Sequence, residues 1–185
     1  MDLPPETIEL DDLILRRFDR EADLPELFRV IEESREHLRP WMPWVDEHSL
    51  DYTAAFLARR EEAWAAGRDF TCAVVLNGVM VGACQLFRRE DGPADVLEIG
   101  YWLHPAATGR GVATRAARAL VGQAFRFPGV DHVEISHDPA NRASGAVAAR
   151  LGFTEHGRRR TETGGEDLVW RLTRRQADRV AEETG

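Results

Sequence analysis

The sequence predicts an α/β fold, a mixed central sheet of about seven strands with helices on both faces, on three observations. The first is order: apolar residues switch between strand and helix periodicity along the chain in the succession β-α-α-β-β-β-α-β-α-β-β. The second is Asn77-Gly78 between two apolar runs, the strongest short-range hairpin signal. The third is the stretch Glu98-Ile99-Gly100-Tyr101-Trp102-Leu103-His104-Pro105, a short apolar and aromatic strand closed by proline. It runs through a glycine-bearing turn into apolar residues at helical spacing over 113–125.

Taken in order, residues 8–18 form a first strand, in which Leu13 and Leu15 alternate with polar neighbours after the turn-like Asp11-Asp12. Residues 19–38 carry Leu24, Leu27, Phe28, Val30 and Ile31 at helical spacing. That helix stops before Arg39-Pro40-Trp41-Met42-Pro43-Trp44, whose prolines forbid its continuation. Ser49 caps a second helix that Gly67 ends. Strands over 70–76 and 79–87 form the hairpin, and 90–95 is a polar loop. After Pro128-Gly129 come a strand over 133–136, a helix over 141–151 and a strand from 153. Gly164-Gly165 then turns the chain into a strand over 168–172, and 174–185 is a charged peripheral helix. No linker or repeat divides residues 1–185, so a single domain is expected.

The composition, 43% hydrophobic and 30% charged, is that of a soluble globular chain. No apolar run approaches the roughly 18 residues of a membrane span, and the N-terminus lacks a secretory pattern. A cytoplasmic location without membrane association is therefore expected. Net charge is −8 and all 24 basic residues are Arg, which argues against nucleic acid and mildly favours a cationic acceptor. Cys72 and Cys84 lie inside strands, are not spaced as a metal site, and read as reduced core residues. His48, His104 and His137 are isolated by spacing, so no metal is expected.

A strand, a Gly-x-Gly turn and a helix hold an anion well. The glycines let the backbone come close, and the first helical amides point outward, unpaired, at the positive end of the dipole. Arg110 stands where it can add a formal charge. A Walker loop is excluded because the chain has no Lys, and a dinucleotide fingerprint because Gly109, Gly111 and Ala113 follow a different rhythm. A plain strand-to-helix turn is the structural alternative.

That rhythm, together with Pro105, resembles the acetyl-CoA pyrophosphate loop of the GNAT superfamily of N-acetyltransferases: Gln or Arg, two residues, Gly, one residue, then Gly or Ala. Gly111 and Ala113 match, while Thr108 stands where Gln or Arg is usual. The segments Val133 to Ser144 and Ala149-Arg150-Leu151-Gly152-Phe153 look like the second half of the acyl-CoA site. With Glu-Ile-Gly-Tyr-Trp-Leu, Asn141-x-x-Ser144 and the Trp41/Trp44 loop, they are similar to the branch containing ribosomal-protein N-terminal (alanine/serine) acetyltransferases.

The resemblance implies the GNAT fold with a splayed strand pair, acetyl-CoA as co-substrate, and direct transfer to a primary amine in a ternary complex. It implies that the pyrophosphate rests on Thr108, Gly109, Arg110, Gly111, Val112, Ala113 and Thr114, and the pantetheine on the backbone of Tyr101 and Leu103. Asn141 bridges the cofactor's amides or, alternatively, caps the helix. Ser144 protonates the departing thiolate; the Tyr that other branches place four residues on is here Ala148. Glu98, sharing a strand face with Gly100 and Trp102, is a general base or else an ion-pair partner of one of the many arginines. Trp41 and Trp44 cover the acceptor or pack in the core. The acceptor is a protein N-terminus or a small amine, and the family branch suggests a homodimer. The alternatives are a non-catalytic acyl-CoA sensor and an acyltransferase using another short acyl-CoA such as succinyl-CoA.

Overall fold

The computed structural model describes residues 3–184. Its N-terminal segment forms two strands where one was expected, β1 (Thr7–Leu10) and β2 (Leu13–Arg17). Asp11 takes a left-handed φ of 57°, so the chain reverses at Asp11-Asp12 and Leu10 pairs with Leu13. This turn accounts for the difference between the seven or so expected strands and the eight observed.

α1 (Leu24–Leu38) begins later than the periodicity suggests, because Asp19 accepts the amides of Glu21 and Ala22 in a turn of its own. A short 3₁₀ turn at Pro43–Glu47 follows, then α2 (Leu50–Ala65), capped by Ser49 Oγ on the Tyr52 amide at 3.1 Å. β3 (Asp69–Leu76) and β4 (Val79–Phe87) are joined by Asn77 and Gly78, both at positive φ. β5 (Val96–Leu103), a 3₁₀ turn at Pro105–Ala107 and α3 (Val112–Ala124) form the expected strand, turn and helix. β6 (His132–His137), α4 (Arg142–Arg150), β7 (Thr154–Arg160), β8 (Glu166–Thr173) and α5 (Arg174–Thr184) complete the chain.

All eight strands share one open sheet, in the order β1-β2-β3-β4-β5-β6-β8-β7. Side chains alternate across it, and each face buries its own apolar layer. Val74, Leu86 and Ile99 pack with Ala116 and Leu120 of α3 and Val147 of α4 on one side. Ala73, Val75 and Ala83 pack with Leu27, Ile31 and Leu57 of α1 and α2 on the other. Every neighbouring pair is antiparallel except β5 and β6. Those two pair only at Val96–His132, Leu97–Val133 and Glu98–Glu134, after which β5 continues against β4 alone. The sheet therefore opens in a V at its centre.

Candidate active site

The V exposes backbone. The His104 amide donates to the Val81 carbonyl of β4 at 2.7 Å. Alternate residues of a strand turn their peptide groups to opposite edges, so Trp102 and Gly100 also face β4, while Tyr101 and Leu103 present theirs to the gap. A large cavity of about 1230 Å³ runs from this gap to the start of α3. That exceeds the usual volume of a drug-sized pocket and suits a long ligand.

At its far end the cavity meets the turn before α3. Gly109 and Gly111 have φ of 69° and 75°, and a Cβ at either would touch nothing within 4 Å. Gly111 is the helix N-cap and, lacking a side chain, leaves the amides of Val112, Ala113 and Thr114 uncapped at the cavity wall. Thr108 also lines the cavity, but its hydroxyl turns back to the Pro105 carbonyl at 2.7 Å. It closes the turn and is not the long polar side chain usual there. Arg110 is not among the residues lining the cavity; Arg115, Arg118, Arg142 and Arg150 are, against one carboxylate, Asp11. Of these, Arg115 is paired with Asp12 at 2.7 Å. In a chain of net charge −8, this wall is locally cationic. The sequence signal was helical spacing for Arg118, one turn after Thr114, and for Arg142 only its place next to the helix-capping Asn141.

Ser144 lies on the first turn of α4, buried, at the cavity wall. Its Oγ is 2.9 Å from the phenolic oxygen of Tyr101, which also donates to the Ser144 carbonyl at 3.3 Å. Burial pushes the Tyr101 phenol up to about 12, against the opposing pull of its bond to Ser144. The Asn141 side-chain oxygen accepts the Ser144 amide at 3.2 Å, so Asn141 caps α4 while lining the same cavity. His137 supports the helix from below: its Nε2 accepts from Trp170 Nε1 at 3.0 Å, and its Nδ1 lies 2.7 Å from the Asp138 carbonyl. These contacts fix the neutral Nδ1–H tautomer. A Cβ on Gly145 would come within 3.1 Å of that ring.

Glu98 lines neither the large cavity nor a smaller one on the opposite face of the sheet. Its carboxylate accepts the Ser136 hydroxyl at 2.5 Å and Arg159 at 2.7 Å. Arg159 also binds Glu134, whose other oxygen is held by Arg171. Glu98 and Glu134 are the last register pair before the strands part, so Arg159 clasps two buried carboxylates at the base of the V. The ion-pair alternative for Glu98 is thus present in the structure. The two loop tryptophans separate: Trp41 lines the large cavity, whereas Trp44 lines a second one of about 160 Å³ on the α1–α2 face. Cys84 faces Cys72 across β3 and β4; that contact and burial push its thiol well above the usual range, which leaves it unreactive at neutral pH.

Residues 12–154 match the family model described as an acetyltransferase (GNAT) domain. The chain belongs to the GNAT acetyltransferases. It is 25% identical over 156 residues to YdaF of Bacillus subtilis (strain 168), provisionally named a ribosomal N-acetyltransferase, covering 83% of this chain and 85% of that protein. The ribosomal L7/L12 α-N-protein acetyltransferase RimL, solved with coenzyme A, superposes with a TM-score of 0.82 at 22% identity, covering 91% of this chain and 98% of that one. The microcin C7 self-immunity acetyltransferase MccE, solved with acetyl-CoA and AMP, gives a TM-score of 0.83 at 20% identity, covering 92% and 98%. Among the described residues no helix is long and apolar enough to cross a membrane.

Proposed function

We propose that this GNAT acetyltransferase moves an acetyl group from acetyl-CoA to the α-amine of a peptide or protein N-terminus, by direct attack in a ternary complex. One observation carries the reading. A single cavity joins an uncapped amide cradle and an arginine-rich wall to the Ser144–Tyr101 pair at an opened strand. When bound, acetyl-CoA supplies an activated thioester. The amides of Val112, Ala113 and Thr114, with Gly109, hold its pyrophosphate, and Arg118, Arg142 and Arg150 add charge. Tyr101 and Leu103 offer backbone groups to the pantetheine, and a β5 amide polarises the carbonyl. Ser144 gives a hydrogen bond, then its proton, to sulfur as the bond to the acyl carbon breaks, and regains a proton from solvent. Tyr101, protonated at any working pH, holds Ser144 in place across the 2.9 Å contact between the two hydroxyl oxygens. The amine's proton leaves through solvent on the α1–α2 face; Glu98 serves as a clasp there, not as the base.

The names of YdaF and RimL favour a peptide acceptor. The microcin self-immunity role of MccE supports a small amine as the second reading. The test is thiol release from acetyl-CoA with a panel of peptides and small amines. Turnover with peptides is expected; binding of acetyl-CoA without turnover on any amine would favour a sensor.

A further inference from the structure

None of the cradle residues, the cavity arginines or Ser144 lines the smaller cavity. It lies against β4 and β5 on the α1–α2 face, opposite Ser144, and meets the large cavity at Met42, Tyr101 and Trp102. Trp44, Phe56, Thr71 and Gln85 form its walls, and Gly100 its floor. Trp44 meets Trp102 edge-on, with centroids 6.2 Å apart at 62°, and stacks on Tyr52 at 4°, so the aromatic wall is packed in place. No lining side chain is charged. Its volume of about 160 Å³ is room for about five waters.

We propose that this chamber holds the side chain adjacent to the amine being acetylated, and that it selects an acceptor whose first residue is uncharged and largely apolar, of leucine or methionine size. The assignment rests on the acetyl-transfer reading. With acetyl as the donor, only a methyl group extends past the carbonyl, and it cannot fill a space of this size. A void or loosely held water against aromatic walls is unfavourable, so the acceptor supplies the missing contacts. An ammonium, guanidinium or carboxylate placed there finds no opposite charge among the lining side chains. Gly100 sets the depth: a Cβ there would come within 3.2 Å of the Gln85 side chain.

Peptides that differ only in their first residue (Gly, Ala, Leu, Met, Lys, Glu) test this, with thiol release from acetyl-CoA as the readout. The expected kcat/KM for Leu and Met exceeds that for Gly by about 10- to 100-fold, with Lys and Glu below Gly. Gly100→Ala shrinks the chamber and shifts the preference toward Gly and Ala, while Phe56→Ala enlarges it and favours bulkier residues. Both retain acetyl-CoA affinity by calorimetry, which also reports whether they fold. A flat profile across Gly, Leu and Met overturns the assignment while leaving acetyl transfer intact. So does faster use of butyryl-CoA than acetyl-CoA with the Gly peptide, which gives the chamber to the donor. Acetyl-CoA binding without turnover of any peptide overturns the transfer reading, and this assignment with it.

Discussion

Ser144 was legible from the sequence because its spacing from Asn141 is local. Its partner was not. Tyr101 is 43 residues away, and only the register of β5 beside α4 brings its phenol to 2.9 Å from the serine hydroxyl. A phenol thus reaches this point from a strand, although Ala148 stands where other branches place a helical Tyr. Ser144→Ala is expected to lower kcat by about 100-fold, the lower end for loss of a positioned proton donor. Tyr101→Phe should lower it less, and the double variant no further than Ser144→Ala, because the two act as one unit. Calorimetry should find acetyl-CoA affinity preserved in all three. Arg110 illustrates the opposite case: its place in the motif suggested phosphate contact, yet Arg118 and Arg142 line the cavity and Arg110 does not. Arg118→Glu and Arg142→Glu should each weaken acetyl-CoA binding about tenfold, as for a lost charge-assisted contact, and Arg110→Glu distinctly less.

At the level of elements, periodicity located every helix and nearly every strand, because each is amphipathic or bounded by Gly, Pro or a capping Ser. It missed the β1–β2 reversal, since an Asp-Asp pair inside an alternating pattern is a weak turn signal. It also could not show the clasp at the last β5–β6 pair, because that clasp draws on β7 and β8. Arg159→Met should destabilise the fold by about 3 kcal/mol, seen in urea unfolding, because two buried carboxylates lose their shared cation. Glu98→Gln should likewise lower the melting temperature while leaving the acidic limb of the kcat/KM profile in place; disappearance of that limb would restore Glu98 as the base. At the α1–α2 junction, His48 is fully enclosed, stacks on Phe28 at 4.8 Å, and is held below its usual range by burial, against the pull of Glu32. A depressed histidine contributes stability that is complete above its unfolded value of about 6.5 and is lost as pH falls through the folded value. Melting curves should therefore drop more steeply below pH 6.5 for the wild type than for His48→Gln.

Across the whole molecule, charge is distributed against its own average. The chain carries −8 overall, yet four arginines face the large cavity with a single carboxylate among them. A polyanion entering that cavity replaces the solvent counter-ions of those arginines, so its affinity should fall as salt is raised. The sequence contained these arginines but not their convergence, which follows from packing α3 and α4 beside the V. Isothermal titration of the intact chain with acetyl-CoA, at low and at raised salt, tests this most directly. Saturable one-to-one binding that weakens with salt is expected; no saturable heat up to about 1 mM, the upper end of ordinary KM values, would contradict it.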